Sequence, residues 1–453
     1  MMKARRLDIA AVSKWAGMTT ESSSSQIIAV EPRLRASHFL IGLVPFLALF
    51  PLHNNDLWWH LAAGRWMTAH RSVPRGDLFS WTNFITQWVD NEWLAELLFY
   101  WTWKAGGDAA LIVTRAAIFA ALSVLLYQLL IVLRAPKSFP AALASAVSLS
   151  HHWWELRPSV FSLAGVLLLL IAVERRRFKL IPLLFLIWAN LHPGFLFGLV
   201  LLAATLAASL LERVTAGWRR AHLPARGLGF SLLISILATL VNPYGWRVYA
   251  QQISIASNRE YRMLLDEWLV PPLTFLLPVI VALAVAVAKS RMVPLHRLAF
   301  FFGAGALSMT AVRFEEYFAW IGVPILLTLP LLRRGRLIAQ IGVIAVCVLI
   351  GWFPPAARRS DRETDFYRAT AKRQRAASAV ISAAAIGAML YERRGRGRSP
   401  APLIAGGASA AVLVALLLRP GASAVEPGRY PERCLDSLPH GVRVFNRLSW
   451  GGW

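Results

Sequence analysis

The chain has 453 residues, 57% of them hydrophobic and only 16% charged, with 19 tryptophans. A water-soluble domain cannot hide that much apolar surface, so the composition predicts an all-α, multi-pass membrane protein. The net charge of +24 sits in short clusters between apolar runs, such as ERRRFK at 174–179 and RRGR at 333–336. Such clusters are topology signals and exclude a phosphate-tracking nucleic-acid surface. Of the two cysteines, Cys347 lies in an apolar run and Cys434 in the tail, which excludes a disulfide framework or a cysteine metal site.

Residues 1–35 carry Lys3, Arg5 and Arg6 with a serine run and no apolar core, which predicts a cytoplasmic basic tail before an uncleaved first span. A span needs ~20 apolar residues. The candidate spans are 36–53, 108–133, 138–156, 158–174, 179–192, 195–212, 227–242, 270–288, 298–312, 317–332 and 337–353. With weaker runs at 376–391 and 401–418, about 11 to 13 spans are expected. Several are short, which requires bilayer thinning or snorkelling flanks. At LHPGF the segment 180–211 also reads as one broken helix.

With the N-terminus inside, the inner loops hold the tail, Arg134 and Lys137, 175–179, 213–226, 289–297 and 333–336, in keeping with the positive-inside rule. The acids run the other way. Asp56, Asp77, Asp90, Glu92, Glu96, Asp108, Glu155, Glu260, Asp266, Glu267, Glu315 and Glu316 fall outside, and only Asp8, Glu21, Glu31, Glu174 and Glu212 inside. Topology does not require that, so the working face is expected to be the outer one. The largest outer loop, 54–107, contains two helices, 56–70 and 91–105, too short to span and rich in interfacial tryptophan. The Arg/Ala-rich region 354–418 carries the two weak runs, and 419–453 forms a truncated-looking outer segment.

Chemistry concentrates in a few stretches. In NNDLWWHLAAGRW, residues 54–66, Asp56 and His60 stand i, i+4 on one helical face, and Arg65 follows on the other stripe. The same letters also fit an N-cap. VDNEWLAELLFYW at 89–101 repeats the i, i+4 spacing with Glu92 and Glu96, which fits a solvated edge as well as a site. SHHWWELRPSVFS at 150–162 places His151, His152, Glu155 and Arg157 in one short loop, costly near a bilayer unless paired or hydrated. WANLHPGF adds Asn190 and His192, and RFEEY adds Arg313, for which an ion pair with Glu316 is the plain alternative. No phosphate loop, HExxH or GxSxG pattern is present. Carboxylates, histidines and isolated arginines on one membrane face suit transfer from a phosphate-bearing donor, with a carboxylate as base and arginine or a divalent cation on the leaving phosphate.

In order along residues 37–353, NDLWWHLAAGRWM, PRGDLFSWT, WVDNEWLAELLF, LRPSVFSL, LWANLHPGFLFGL, NPYGWRVY and EWLVPPL resemble an uncharacterised bacterial multi-pass group placed near the GT-C superfamily of polyprenyl-phosphate-sugar-dependent glycosyltransferases. The resemblance implies a GT-C-like core over 36–353 in the bacterial inner membrane, with its site on the periplasmic side. It implies a polyprenyl-phosphate-linked sugar as donor, membrane lipid as partner and no nucleic acid. Asp56 takes the place of the first-loop acid, a base or metal ligand, with Glu92 as second acid and His60 beside them as the catalytic set. Arg65, Glu155, Arg157, Asn190, His192 and Arg313 are the expected substrate-binding set. The metal stays open, a divalent cation such as Mg or Mn being the candidate. Asn91 and Ser159 stand where relatives carry His and Glu. The alternatives are a non-enzymatic lipid or glycan transporter or flippase, for which LHPGF speaks, and an inactive remnant.

Overall fold

The computed structural model describes residues 36–52, 54, 56–77, 79, 87–214, 223–258, 268, 270–271, 273–288, 293–329, 337–352 and 361–393. The 1–35 tail, the 401–418 run, the 419–453 segment, Glu260, Asp266, Glu267 and the 333–336 cluster lie outside the described residues. Among the described residues the structure is helical, apart from an isolated antiparallel bridge between Gly76 and Gln87. In chain order the helices are α1 Ala36–Leu47, α2 Asp56–His70, α3 Trp93–Val132, α4 Phe139–Ser150, α5 Ser159–Glu174, α6 Ile181–Leu191 and α7 Phe195–Val214. There follow α8 Ala225–Thr239, α9 Arg247–Ser257, α10 Leu273–Ala288 and α11 Leu295–Ser308. A composite α12 joins Glu315–Tyr317, a π-helical turn Phe318–Gly322 and Val323–Leu326, and α13 Leu337–Trp352 and α14 Asp361–Arg393 complete the set.

The core forms around α4. All twelve of its residues, FPAALASAVSLS, are buried, as expected of a helix without a polar face. Its small side chains admit close neighbours. Ser148 accepts at its carbonyl from Gln374 of α14, its hydroxyl lies 2.7 Å from that of Ser378, and Gln340 of α13 donates to Ser138 at 3.2 Å. The weak run 376–391 is therefore a packed element: Ala377, Ile381, Ala385 and Ala388 of α14 are all fully buried, at helical spacing.

Hydrogen bonds sort the connections into two groups. In the first, Asn54 reaches Leu156, Arg157 reaches Asp56, and Trp93 reaches Asn190. Asn242 reaches Ala189, and Tyr244 reaches Pro74. In the second, Arg297 and His296 meet Glu174, Arg175 meets Gln128, Ser231 meets Phe178, and Glu212 accepts from Leu295 N–H. The first set holds Asp56 with Arg157, and the second holds Glu174 and Glu212 with Arg175, His296 and Arg297.

The spans are shorter than expected. Two helices, α3 and α7, are long and apolar enough to cross a membrane, while the apolar stretches of α1, α5, α6, α8 and α13 have 10–17 residues. At 1.5 Å per residue a helix of that length covers roughly 15–26 Å. The 36–53 segment loses its last turn because the chain leaves the helix at Leu47 and hands the carbonyls of Ala48, Phe50 and Pro51 to Arg115. The 180–211 segment is broken at LHPGF: α6 ends at Leu191, His192 is extended, and a Cβ on Gly198 of α7 would meet the Trp188 ring. In α3, Gly106 and Gly107 depart from helical geometry, and φ is +61° at Gly107, a conformation that disfavours any Cβ. The break separates 93–105 from an apolar stretch that starts at Asp108.

Candidate functional site

The site is built where α2 crosses the first turns of α3. Asn54 starts α2: its Oδ1 accepts the Asp56 N–H at 3.0 Å while its Nδ2 donates to Leu156 O at 3.4 Å. The capping oxygen is therefore on Asn54, and Asp56 is the first helical residue. At the crossing, a Cβ on Gly64 would lie 2.4 Å from Glu96 O and 2.6 Å from Tyr100 Cβ. That backbone approach brings His60 Nδ1 to 2.8 Å from Glu96 Oε1 and 3.8 Å from Glu92 Oε2. The helical spacing of Glu92 and Glu96 turns both carboxyls toward the same imidazole.

The ligand atoms of His60, Glu92 and Glu96 lie within 4.8 Å of one another. Glu96 is buried and Glu92 is the most open, at 26% side-chain exposure against 5% for Glu96, so Glu92 is the group an incoming ligand meets first. Asp90 turns the chain into α3 by accepting the Glu92 N–H at 3.1 Å. Burial, then the charge of Glu96, hold the Asp90 carboxyl well above the usual carboxylate range. Burial also raises Glu92, against the pull of His60.

His192 approaches Glu92 from the α6–α7 turn, its Nε2 3.4 Å from Glu92 Oε1. Its tautomer follows from its other nitrogen. Gly194 N–H donates to Nδ1 at 3.0 Å, and the Ser162 hydroxyl, itself accepting from Trp188 Nε1 at 2.7 Å, lies 2.6 Å from it. Nδ1 is an acceptor, so the neutral ring carries its proton on Nε2, toward Glu92. Burial, then Arg313 and His60, lower the His192 pKa to about 3, which keeps the ring neutral.

A second layer lies beyond. Arg157 Nη2 is 2.7 Å from Asp56 Oδ2, and Asp56 is 54% exposed in its side chain. Arg313 lies over Trp268, 4.9 Å from the ring centroid, close enough to act on Glu92, Glu316 and His192. Burial lifts Glu316 to about 8 against Arg313 and Arg157, and His152 Nε2 sits 3.8 Å from Glu315.

The structure thus brings Asp56, His60, Glu92, Arg157, His192 and Arg313 together at one end. Asp56 and His60 do not act along one polar edge: Asp56 turns out to Arg157 and His60 turns in to Glu96. Three expectations change. Arg65 is exposed and points roughly 140° around α2 from His60. Asn190 has its amide consumed, accepting from Trp93 and donating to Leu186 O and Val241 O, so it fastens the α3 start. Glu155 pairs with Arg115 at 3.4 Å. The catalytic and binding sets read from the sequence leave out Asp90, Ser162 and Arg115, and Glu96 stands there as a solvated edge or a site. The D-x-E-x-x-x-E spacing at 90–96 was the available signal for the acids; Ser162 and Arg115 sit in apolar runs with no local signal.

The cap and the charge are separable. Asn54→Ala is expected to lower stability by about 1 kcal/mol, read as a shift in thermal unfolding, whereas Asp56→Asn leaves it within about 0.5 kcal/mol. The reverse order would return the capping role to Asp56.

A divalent cation, which the family resemblance leaves open, fits these residues. One imidazole and two carboxylates converge, and Glu96 Oε2 and Asp90 Oδ2 are buried oxygens with no donor directed at them among the described residues. Comparison with protein-family models, with curated proteins and with solved structures finds no match. The fold and the cluster together define an all-helical protein with a carboxylate–histidine site at one end of its bundle.

Proposed function

We propose that the protein is a polytopic enzyme of the bacterial inner membrane. It transfers a sugar from a polyprenyl-phosphate donor to an acceptor at the outer face, as the GT-C-like sequence motifs imply. The observation that carries the reading is the convergence of Asp56, Glu92, Glu96, His60 and His192 with Arg157 and Arg313 at one end of the helices. Placement in a membrane is supported by large apolar residues left exposed on α3, α6, α7 and α8, among them Val113, Leu183, Val200, Phe230 and Leu233 at 54–68% exposure. Contiguous apolar surface of that kind faces lipid or a partner.

In the reaction the acceptor hydroxyl oxygen attacks the anomeric carbon. The carbon–oxygen bond to phosphate breaks, and its electron pair stays on the phosphate oxygen. Asp56, open to solvent and oriented by Arg157, takes the hydroxyl proton. Arg157 and Arg313 donate to the phosphate oxygens, where charge-assisted bonds are strongest. His60, Glu92 and Glu96 would hold a divalent cation, which would supply further stabilisation of the departing charge. His192 holds Glu92 in position.

Two measurements bear on this reading. Loss of a charge-assisted contact costs roughly 1.5–3 kcal/mol, so Arg157→Ala and Arg313→Ala should each weaken binding to polyprenyl-phosphate vesicles more than tenfold. Arg65→Ala should not; equal affinity of all three variants and the parent overturns the phosphate assignment. For orientation, cysteines at Ser72 and Lys179 in a cysteine-free chain are probed in intact cells with an impermeant thiol reagent. Labelling at 72 alone is expected, and labelling at 179 alone reverses the proposed outer face.

A further inference from the structure

We infer that His60, Glu92 and Glu96 form a site for one transition-metal dication of the zinc or manganese class, and that Asp56 is not among its ligands. The distances suit such an ion. Ligands about 2.0–2.2 Å from a metal stand roughly 3–3.5 Å apart, and the cluster has 2.8 Å between His60 Nδ1 and Glu96 Oε1 and 3.8 Å between His60 Nδ1 and Glu92 Oε2. The second observation is the buried Glu96 carboxyl, whose Oε2 no donor satisfies among the described residues. Such an oxygen is costly to bury without a positive charge beside it.

The donor set selects the metal. Magnesium prefers oxygen ligands and keeps several waters, whereas an imidazole with two carboxylates suits zinc, manganese or iron. Glu92 carries an outer contact of the kind that orients metal ligands: His192 Nε2 faces Glu92 Oε1 at 3.4 Å. With its proton on Nε2, His192 is an outer partner and not a ligand. Asp56 is set apart by its partner: its carboxylate is exposed and 2.7 Å from Arg157, and it is not among the three groups whose ligand atoms converge. The common assumption for a first-loop acid, that it serves as base or metal ligand, thus divides: the base role stays with Asp56 and the metal passes to the crossing of α2 and α3.

The inference deepens the proposed function at the same site, and metal binding is read separately from transfer. Metal bound in stoichiometric amount without any sugar transfer keeps this inference and removes the proposed function; transfer without bound metal does the reverse. The full chain in detergent is stripped with chelator, offered zinc, manganese or magnesium alone, desalted, and analysed for metal by mass spectrometry. One equivalent of zinc or manganese and no retained magnesium are expected. Glu96→Gln and Glu92→Gln should lower affinity at least tenfold, and Asp56→Asn should leave it unchanged. Cobalt loading gives a readout independent of the variants: His60 coordination predicts visible absorption bands that His60→Gln abolishes. If the carboxylate variants misfold, the parent's stoichiometry and cobalt spectrum still decide. A parent that retains none of these ions, retains only magnesium, or loses its metal with Asp56→Asn overturns the inference.

Discussion

Gly64→Val is expected to lower the thermal stability of the protein and to abolish whatever the His60–Glu92–Glu96 cluster does. The new Cβ would stand 2.4 Å from Glu96 O and 2.6 Å from Tyr100 Cβ, and a backbone carbonyl cannot swing aside as a side chain can. Helix α2 must therefore back away from α3, and it carries His60 with it. Overpacking of this kind costs typically 1–3 kcal/mol, and a displacement of ~1 Å at a reacting centre can cost about 10²-fold in rate. Gly42→Ala is the matched control, since nothing lies within 4 Å of its added Cβ; it should be neutral or slightly stabilising through helix propensity. Melting curves in detergent and metal occupancy check both. A Gly64→Val protein with unchanged melting and full occupancy would mean that the helices do not cross so closely.

Arg115→Met is expected to be the most destabilising single change. Arg115 is fully buried, and its guanidinium donates to the carbonyls of Ala48, Phe50 and Pro51, pairs with Glu155 at 3.4 Å and stacks on Phe50 at 3.7 Å. It thus joins the end of α1, the middle of α3 and the loop that carries Arg157. Removing one partner of a buried ion pair costs about 3–5 kcal/mol, here with several carbonyls orphaned as well. Lysine keeps the charge but not the planar fork, so Arg115→Lys should also lose stability, though less. Arg115→Met combined with Glu155→Met should recover part of the loss, because the uncompensated carboxylate goes too. Chemical unfolding followed by tryptophan fluorescence reports each value. An Arg115→Met chain as stable as the parent would remove Arg115 as the clamp of that end.

What could be read from the letters alone follows the range of the forces. Helix α2 matches the 56–70 reading because its start signal and its Trp/Leu/Ala stripe are local, and the break of α3 at Gly106–Gly107 falls between the segments read as 91–105 and 108–133. His60 and Glu92 were named from the same local spacing. The His60–Glu96 contact was not legible, since it depends on how closely Gly64 lets two helices approach. Arg115 was hidden for a related reason: inside an apolar run it looks like an exception, and only the fold supplies the carbonyls that solvate it. Arg65 erred in the opposite direction. Its neighbours in sequence are site residues, but a turn and a half of helix carries it to the exposed side. Asn190 was taken for a ligand-binding amide because its partners, Trp93 and Val241, are distant in sequence.

The most direct test of the account is sugar transfer by the purified chain in proteoliposomes. The donor is a panel of radiolabelled polyprenyl-phosphate-linked hexoses and pentoses, and transfer is read as loss of label from the organic-soluble donor above a protein-free control. The account predicts consumption of at least one donor by the parent. It predicts a loss of at least about 10²-fold for Asp56→Asn, on the scale of removed general-base catalysis, with folding intact. A parent that consumes no donor, or an Asp56→Asn protein as active as the parent, would contradict it.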